Sequence, residues 1–595
     1  MPRVAIPHVA LVCLLTIAAA AVSFGQSPQP QSHPNVILIS LDQCRADQLH
    51  SYGNPRSTSP NLDRIASRGV RFTRFYSAAP WTTPSYGAIM TSQYPSRHGA
   101  TLMTPPGVAG IRSGSKVLAE LFRNNGYYTG AFVNNSVAGA FLTRPGFADY
   151  DEGQKRKGAS VIPGQQDFRA PATNQRVFTW LDEHSAKPFF LFLLYFEPHS
   201  PYDPPPQDDL FKGGKYAAET NTGYDLTKGR LFRLANLRDT NAIDRLTQLY
   251  DGKIHFIDRY IGQLFEQLHQ RGLDRNTIVW ITSDHGELLY SHAADYMTFD
   301  HRSLYDQVMH VPRIVVGPGV PHGRMVDALT THVDIGPSLL ELAGLPPKSD
   351  AQGKSLVPLM SGATDRVHDV VFGEQDVHER LRSVRDVRFK LIWNVDNGEK
   401  KLFDDANDPG EQHDVTAQHE DEAEKLARIL LAWRNKNEPP DSVLRQRWQE
   451  IAQKQTAPLV VDEVTIGARF QLMGSGWKAA EDPSCYDGGL YWTDAAASST
   501  DSPQAAVWRS DDPLIGRYRI SIWYGKPPGI TPTKAACLTI TTRSGQKLLT
   551  LDQSRNAGRW NELGIFADPV TVRLEGASAG ALLADAVRFE RLGDD

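Results

Sequence analysis

The sequence contains no block of basic residues, although it is 595 residues long. Its formal net charge is −5, with 63 Lys and Arg against 68 Asp and Glu. Proteins that bind nucleic acid through its phosphates usually present clustered basic side chains. The charge pattern therefore argues against a nucleic-acid partner. No internal repeat or low-complexity tract is visible either.

Long hydrophobic runs are also missing, apart from one at the N-terminus. Residues 9–22 form an apolar stretch, which Arg3 precedes and Ser23-Phe-Gly25 follows. The stretch is shorter than the ~20 residues that a membrane-spanning helix needs, and small residues follow it. A signal peptide over residues 1–25 therefore fits better than an uncleaved anchor. We expect a secreted or periplasmic protein with no stable membrane span after cleavage.

Cysteine is scarce, with four in the whole chain, and Cys13 lies inside the N-terminal apolar run. Cys44 follows an apolar strand, so we predict a buried free thiol there. Cys485 and Cys537 both lie in the C-terminal part, and the oxidising compartment of an exported protein allows such a pair to form a disulfide. A disulfide also requires a short Cα separation, which the sequence does not give, so both states stay open.

Strands and helices alternate over the first two thirds of the chain. Short apolar runs rich in β-branched residues predict buried strands, and helical periodicity separates them. The predicted strands are 36–41, 127–133, 189–195, 277–282 and 313–316, and the clearest helices are 60–68, 117–124 and 242–271. This alternation predicts an α/β fold with a mostly parallel sheet and helices on both faces. In such sheets ligands bind at the carboxyl ends of the strands.

The pattern changes twice toward the C-terminus. From about residue 370 the chain has short strands, such as 388–393, and then a predicted helix over 420–435. Past about residue 456, short strands separated by turn residues predict a separate all-β sandwich. Trp492, Trp508 and Trp523 in this region either stack on sugars or fill the sandwich core.

The stretch around Thr82 is the most informative part of the sequence. Ala79-Pro-Trp-Thr-Thr-Pro-Ser leads into a predicted short helix with Pro84 in its first turn. Thr82 and Thr83 would then lie at the helix N-terminus, where exposed N–H groups and the helix dipole favour an anion. A hydroxyl at this place is either a helix cap or a nucleophile aimed at an anionic ester.

Two polar pairs follow predicted buried strands. Asp42-Gln43 comes after the strand 36–41, and Asp284-His285 comes after the strand 277–282. Carboxylate, amide and imidazole ligands suit Ca, Mn, Zn or Mg, depending on geometry. We therefore expect one divalent metal ion held by these four residues. A simple turn at each strand end is the structural alternative.

Together these segments resemble the sulfatase family of the alkaline phosphatase superfamily. The sulfatase signature runs Cys-x-Pro-Ser-Arg, Leu-x-Thr-Gly and Tyr-Pro-x-x-His-Gly, and the matching residues here are Pro84, Ser85, Thr91, Tyr94, Pro95, His98 and Gly99. Thr82 stands where the family has the Cys that matures to formylglycine, and Tyr86 stands where it has Arg. Because Thr cannot become that aldehyde, the resemblance implies a non-formylglycine branch in which a metal-bound Thr82 is the nucleophile.

The same resemblance implies further site residues. His199 takes the place of the family histidine that faces the scissile ester, and His301 takes the substrate-facing position before Leu-Tyr-Asp. The family's Gly-Lys-Trp-His segment is replaced by Val-Asn-Asn-Ser, where Asn134 is expected to donate an amide N–H to the substrate. Tyr86 completes the predicted substrate-binding residues, and His292 is expected to face solvent.

The resemblance also divides the chain into domains. It implies a catalytic α/β domain over residues 34–365 and the small C-terminal subdomain of the sulfatase fold over residues 366–440. The region 456–595 contains Gly558-Arg-Trp-Asn-Glu-Leu-Gly and Leu583-Ala-Asp-Ala-Val-Arg-Phe. It resembles the C-terminal domain of golvesins and some xanthan lyases, which implies a carbohydrate-binding role.

The predicted function is hydrolysis of a sulfuric ester, with a sulfated glycan as the expected substrate. The first alternative is a phosphodiester or phosphonate monoester hydrolase, because phosphonate monoester hydrolases carry Asp-Gln at the position of Asp42-Gln43. The second is a catalytically reduced protein that binds glycans through the sandwich. Oligomeric state and metal identity are not predicted.

Overall fold

The structure is a computed structural model of the chain. It describes residues 33–101, 111–112, 114–134, 146–153, 169–219, 230–292, 301–376, 380–440, 443, 458–461, 468–474, 476–486, 489–494, 504–510, 514–576 and 579–593. The predicted signal peptide lies outside the described residues. Within them, no helix is both long and apolar enough to cross a membrane.

The first part of the chain is built on a sheet that has eight strands among the described residues. Its strands are β1 (Asn35–Leu41), β2 (Val70–Phe72), β4 (Tyr128–Val133), β5 (Asp149–Asp151), β6 (Phe189–Tyr195), β7 (Thr277–Ser283), β8 (Ile314–Val316) and β9 (Arg324–Val326), and a separate pair is formed by β3 (Phe75–Tyr76) and β10 (Thr330–Thr331). The order is β5-β4-β6-β1-β7-β8-β2-β9. Within this sheet only two strand pairs are antiparallel, β7 with β8 and β2 with β8. The prediction of a mostly parallel sheet is confirmed.

Helices cover both faces of this sheet, as predicted. They are α1 (Pro60–Ala66), α2 (Thr82–Thr91), α3 (Pro95–His98), α4 (Leu118–Asn124), α5 (Ala170–His184), α6 (Arg230–Asn236), α7 (Thr240–Gln270), α8 (Asp306–Met309), α9 (Ile335–Leu342) and α10 (Val357–Ser361), with short 3-10 turns at Ala46–Gln48, His50–Tyr52, Asp274–Asn276 and His332–Asp334. Successive strand side chains point to opposite faces. Ile37 therefore joins the core that contains Leu249 of α7, whereas Val36 joins the core that contains Ile89 of α2.

A second, antiparallel sheet follows in the chain. It consists of β11 (Val371–Gln375), β12 (Leu381–Arg385), β13 (Phe389–Asn394) and β14 (Lys400–Asp404), and the helix α11 (Glu420–Asn437) comes after it. Leu426 and Leu430 of α11 pack against Leu391 of β13. The sheet reaches the catalytic region at β11, because Glu374 donates its backbone N–H to the carbonyl of Ala78.

The C-terminal region is entirely antiparallel in its paired strands. They are β15 (Leu459–Val461), β16 (Ala468–Met473), β17 (Lys478–Glu481), β18 (Gly489–Asp494), β19 (Ala505–Ser510), β20 (Arg517–Trp523), β21 (Ala536–Thr542), β22 (Gly545–Leu551), β23 (Asn561–Ala567), β24 (Pro569–Glu575), β25 (Ala581–Ala584) and β26 (Ala586–Arg591). They share one core, so a separate β-domain is confirmed. Trp508 is fully buried in that core, whereas Trp492 and Trp523 are half-buried.

The cysteines answer the question that the sequence left open. Cys485 is a buried thiol and Cys537 is an exposed one, and no disulfide joins them. Cys44 is a buried free thiol, as predicted.

Candidate active site at the strand ends

Strand pairing brings the two predicted ligand pairs to the same edge of the sheet. Strands β1 and β7 are adjacent and parallel, with Leu41 opposite Ser283. Asp42 and Asp284 are the next residues of each strand, so their side chains leave the sheet at the same level. Gly286 then lets the chain turn closely past α8, because a Cβ there would collide with the carbonyl oxygen of Gln307.

Asp42, Asp284 and His285 are fully buried and lie close together. One ligand atom from each falls within 4.8 Å of the others. Asp284 Oδ1 accepts hydrogen bonds from the N–H groups of Gln43 and His285, at 3.1 and 2.9 Å. Its Oδ2 has no hydrogen-bond partner, and neither does Gln43 Oε1. Buried oxygens of this kind are costly unless a proton or a cation satisfies them. We call Asp42, Gln43, Asp284 and His285 the strand-tip cluster.

The imidazole of His285 is oriented as a metal-binding histidine would be. Its Nδ1 lies 2.9 Å from the carbonyl oxygen of Gly286, which can only accept, so Nδ1 carries a proton. The neutral ring then directs the lone pair of Nε2 toward Asp284 Oδ2, at 3.3 Å. A lone pair facing a carboxylate oxygen is favourable only with a positive charge between them. A backbone carbonyl that fixes the tautomer is the usual outer partner of a ligating histidine.

Gln43 connects the strand-tip cluster to His301. Its backbone has a φ of +60°, which is uncommon for a residue other than glycine and is typical of functional sites. Its Nε2 donates to His301 Nδ1 at 2.9 Å, and the His301 ring stacks on that of His285 with centroids 4.5 Å apart. Because His301 Nδ1 accepts this hydrogen bond, the neutral ring carries its proton on Nε2.

Thr82 is the first residue of α2, and Trp81 occupies the N-cap position without a side-chain cap hydrogen bond. The Thr82 hydroxyl is therefore not used as a helix cap. Its Oγ1 lies 3.4 Å from His285 Nε2, and the residue is 6% exposed. The structure thus places the hydroxyl beside the strand-tip cluster, at a helix end that favours anions.

A group of buried polar side chains supports this arrangement, and sequence patterns did not indicate it. Ser77 Oγ lies 2.7 Å from the carbonyl of Asp284, 3.1 Å from Ser85 Oγ and 3.2 Å from His332 Nδ1. His332 Nε2 in turn donates to the carbonyl of Ser283 at 2.9 Å. Burial lowers the pKa of His332 to about 3, so the ring is neutral. These contacts tie the start of α2 to the end of β7.

His199 lies in the turn after β6, with its ring stacked on Phe196 at 4.3 Å. Its Nδ1 donates to the carbonyl of Ser200 at 2.6 Å, so Nε2 is the acceptor of the neutral ring. Burial lowers the pKa of His199 to about 3, and the positive charge of Lys253 acts in the same direction.

A buried carboxylate, two residues before His199 in the chain, was not singled out in the sequence analysis. Glu197 is 1% exposed, and its Oε2 has no hydrogen-bond partner. Burial raises its pKa, while the nearby Lys253 opposes the shift. A strand-end acidic residue in Phe-Glu-Pro-His was the available signal, because the same reasoning identified Asp42 and Asp284.

The two predicted substrate-binding residues both make contacts within the protein. Tyr86 is fully buried in α2, where its hydroxyl lies 2.9 Å from Ser40 Oγ and its ring packs edge-on against Phe192. Asn134 is 5% exposed, and its Nδ2 donates to Thr173 Oγ1 at 2.5 Å. Its Oδ1 has no hydrogen-bond partner. These positions favour a packing role for Tyr86, and substrate contact by either residue stays a prediction.

The expectation that His292 faces solvent is wrong. The residue is 7% exposed, its ring stacks on Tyr305 with centroids 3.8 Å apart, and Nε2 lies 3.0 Å from Gln307 Oε1. Helix α8 and the preceding segment enclose it, which a local sequence pattern could not show.

Comparison with known protein families places this geometry in context. The family model described as Sulfatase matches residues 34–345, the model N-sulphoglucosamine sulphohydrolase, C-terminal matches residues 294–436, and the Golvesin C-terminal domain matches residues 459–591. The first model alone spans more than half of the chain.

Individual proteins agree with these matches. An arylsulfatase of Clostridium perfringens is 25% identical over 470 residues, which cover 67% of this chain and 94% of that protein. A Delta 4,5-hexuronate-2-O-sulfatase of Bacteroides thetaiotaomicron is 24% identical over 420 residues, covering 66% and 86%. The crystal structure of the phosphonate monoester hydrolase of Agrobacterium radiobacter superposes with a TM-score of 0.55 at 23% identity, covering 68% and 96%, which shows a shared fold.

These findings confirm the predicted family resemblance of both parts of the chain and the prediction of an ester hydrolase. Members of this superfamily depend on metal ions, which agrees with the acidic and histidine ligands gathered at the strand ends. The chain belongs to the sulfatase family.

Proposed function

We propose that the protein is an exported hydrolase that cleaves a sulfuric ester on a saccharide, with Thr82 as its nucleophile. One observation carries this proposal. The Thr82 hydroxyl is not used in capping α2, and it lies 3.4 Å from His285 Nε2, beside the strand-tip cluster. A hydroxyl held next to such ligands is a suitable nucleophile once its pKa is lowered.

The residues that would hold a divalent cation are the four members of the strand-tip cluster. Their fit rests on the converging carboxylates, on the unpartnered oxygens of Asp284 and Gln43, and on the His285 tautomer. When bound there, the cation supplies positive charge that lowers the pKa of a neighbouring hydroxyl and offsets charge on the ester. Oxygen and nitrogen ligands in this mixture admit Ca, Mn, Zn or Mg.

The reaction then runs in two displacements. Thr82 Oγ attacks sulfur, the bond from sulfur to the leaving oxygen breaks, and a sulfate ester forms on Thr82. Water attacks the same sulfur in the second displacement, which releases sulfate and restores the hydroxyl. In the first displacement Thr82 loses one proton and the leaving oxygen gains one.

Two histidines are candidates for contact with the reacting groups. Neutral His199 presents Nε2 as a hydrogen-bond acceptor, so it can orient a hydroxyl group or a water molecule. Its pKa of about 3 makes it a poor base near neutral pH, so the proton of Thr82 leaves to solvent water. His301 presents Nε2–H, so it can donate a hydrogen bond to the leaving oxygen as negative charge develops there. Asn134 and Tyr86 are the remaining candidates for substrate contact.

The names of the relatives favour a sulfated saccharide as substrate, because the Bacteroides protein is a hexuronate-2-O-sulfatase. The golvesin-type domain is a candidate carbohydrate-binding module on the same chain. Hydrolysis of a phosphonate monoester or phosphodiester is the second candidate. It is favoured by Thr82 in place of the formylglycine precursor and by Gln43 in place of a second Asp.

A substrate panel with matched variants tests the proposal. Aryl sulfate, aryl phosphate, phosphodiester, phosphonate and sulfated oligosaccharide substrates would be assayed with Ca, Mn, Zn and Mg in turn. We expect Thr82→Ala to lose at least ~10³-fold in kcat on the best substrate, since the nucleophile is removed. Thr82→Ser keeps a hydroxyl and should keep most turnover, as should Thr83→Ala in the same helical turn. Equal kcat for Thr82→Ala and the native protein would refute the proposal, and a binding-only protein would turn over none of the panel.

A further inference from the structure

The short helix α6 lies between the catalytic region and the β-domain. Asn236 at its end donates from Nδ2 to the hydroxyl of Tyr491 in β18 at 3.0 Å. The next residue, Leu237, packs against the core of the β-domain. The guanidinium group of Arg233 lies directly against Gly489 at the start of β18. A Cβ on that glycine would be only 2.7 Å from Arg233 Nη1. Hydrogen bonding, apolar packing and close backbone approach thus join α6 to the β-domain.

The same helix also contacts the loop that carries His199. Phe232 of α6 stacks on Tyr202, with ring centroids 6.4 Å apart and an interplanar angle of 28°. Tyr202 is 1% exposed and packs edge-on against Tyr250 of α7 at 5.4 Å. Its ring is therefore held from two sides, and one of these sides is α6.

Tyr202 links this loop to the strand-tip cluster as well. Its hydroxyl donates to Glu287 Oε2 at 3.2 Å, and Glu287 follows His285 by two residues. Glu287 is itself buried and uses Oε1 to accept from the N–H of Leu288 at 3.0 Å. A shift of Tyr202 would therefore displace two parts of the site. One is His199, three residues earlier in the chain, and the other is the segment after His285.

We propose that the β-domain helps to set the geometry of the active site by holding α6 against Tyr202. Arg233, Asn236 and Tyr491 are then positioning residues, which act on His199 through Phe232 and Tyr202. The catalytic consequence rests on the proposed function. A misplacement of about 1 Å in a catalytic group can cost ~100-fold in rate, so a contact that fixes the His199 loop has a measurable effect on turnover.

The test combines a conservative variant with a matched control in the same domain. Tyr491→Phe removes only the hydroxyl that accepts from Asn236 and keeps the ring that stacks on Phe470. Tyr518→Phe is the control, because Tyr518 is also buried in the β-domain and its hydroxyl has no hydrogen-bond partner. Gly489→Ala is the stronger variant, since the added methyl would displace Arg233.

Two readouts are needed, and the first does not depend on activity. Hydrogen–deuterium exchange of residues 196–204 should accelerate by about two- to tenfold in Tyr491→Phe, the effect of one neutral hydrogen bond, and by more in Gly489→Ala. The second readout is steady-state kinetics, where kcat should fall by a similar factor at an unchanged KM. Tyr518→Phe should match the native protein in both.

Each other result decides against the proposal. Native exchange rates in both Tyr491→Phe and Gly489→Ala would show that the β-domain does not hold the loop. Faster exchange with an unchanged kcat would show that the contact is structural and does not position His199. If no ester in the panel were turned over, the proposed function would fail on its own, while the exchange measurement would still decide whether the contact exists in solution.

Discussion

Two buried carboxylates in the same domain, Asp284 and Asp334, have opposite surroundings. Asp334 accepts from the backbone N–H groups of Thr331 and Lys354 at 2.9 and 2.8 Å, and from His368 Nε2 at 2.9 Å. Both of its oxygens are therefore occupied. Asp284 leaves Oδ2 without a hydrogen-bond partner, and it faces the lone pair of His285. We call Asp334 with Thr331, Lys354 and His368 the Asp334 cluster.

The difference separates a structural use of buried charge from a functional one. A cluster that satisfies itself gains stability from every hydrogen bond, and nothing else is needed to complete it. A cluster that leaves oxygens open pays a desolvation cost which a ligand can recover. Both sequences, Ser-Asp-His-Gly and His-Val-Asp, look similar as polar segments after strands, and only the hydrogen-bond partners distinguish them.

Among the variants that test this contrast, the largest expected effect on kcat comes from His301, the proposed hydrogen-bond donor to the substrate, which contacts Gln43 of the strand-tip cluster. His301→Asn should lower kcat by ~10²–10³-fold, because a donor to the developing oxyanion is lost. Substrates with acidic leaving groups, such as nitrophenyl esters, should lose less than alkyl esters, and the comparison of the two series measures this.

His292→Asn is the control for that variant, since His292 is also a buried histidine, and its ring stacks on Tyr305 and contacts Gln307. It should lose stability through its lost stacking on Tyr305 while keeping kcat within a few-fold. Equal losses of kcat in the two histidine variants would contradict the assignment of His301.

The next expected effect is on the affinity of the strand-tip cluster for a divalent cation. Asp284→Asn should weaken binding of the activating divalent ion by about 100-fold or more, because a charged ligand becomes neutral. Calorimetric titration of the metal-free protein measures this directly. In the same experiment Asp334→Asn should bind the cation as the native protein does. Native affinity in Asp284→Asn would place the cation elsewhere.

The free energy of unfolding should show the reverse order, with a larger loss in Asp334→Asn than in Asp284→Asn. Asp334→Asn should lower the free energy of unfolding by about 1–3 kcal/mol, since partners that need a carboxylate are left unsatisfied. Asp284→Asn should leave the metal-free protein as stable as the native one, because the charge it removes has no complete set of partners. Urea unfolding in the presence of a chelator would measure both values. A larger loss in Asp284→Asn would remove the contrast between the clusters.

A further test of how buried charge is used concerns a third buried carboxylate, Glu374, where β11 meets α3. Its oxygens accept from the N–H and hydroxyl of Ser96, at 2.8 and 3.0 Å. Burial raises the pKa of Glu374 from 4.5 to about 8. The folded state therefore holds a proton that the unfolded state releases, so this contribution to stability is complete below pH 4.5 and is lost as pH rises to about 8.

Glu374→Gln should remove that dependence, which amounts to at most ~1.4 kcal/mol per pH unit. The variant should be relatively more stable than the native protein at pH 8 than at pH 5, and urea unfolding at both values measures the difference. An unchanged slope in Glu374→Gln would mean that another group titrates over this range.

Local sequence patterns were sufficient to predict the main strands of the sheet and the gathering of polar residues at its edge. The strand over residues 189–195 was predicted with the bounds that the structure has, because seven consecutive apolar residues allow little else. The convergence of Asp42 with Asp284 followed from the rule that parallel strands share a carboxyl edge. These features depend on residues close in the chain or on a general property of parallel sheets.

Most features that the sequence did not predict depend on contacts with other segments of the chain. Burial of His292 depends on α8, the network of Ser77 depends on His332 in another segment, and the contact of Asn236 with Tyr491 spans 255 residues. Likewise, the sequence did not predict the contact of the Tyr86 hydroxyl with Ser40, because a family position shows where a residue lies on a helix but not which way its side chain points. No periodicity or motif encodes such pairings.

Trapping the covalent intermediate tests directly whether Thr82 is the nucleophile. The protein would be mixed with the best ester of the panel, quenched in acid within the first turnover, digested and analysed by mass spectrometry. We expect a sulfate, or the corresponding phosphorus group, on the peptide that contains Thr82, and no such group in Thr82→Ala. Product release through the first turnover with the Thr82 peptide unmodified, and an adduct on a different residue, would contradict it.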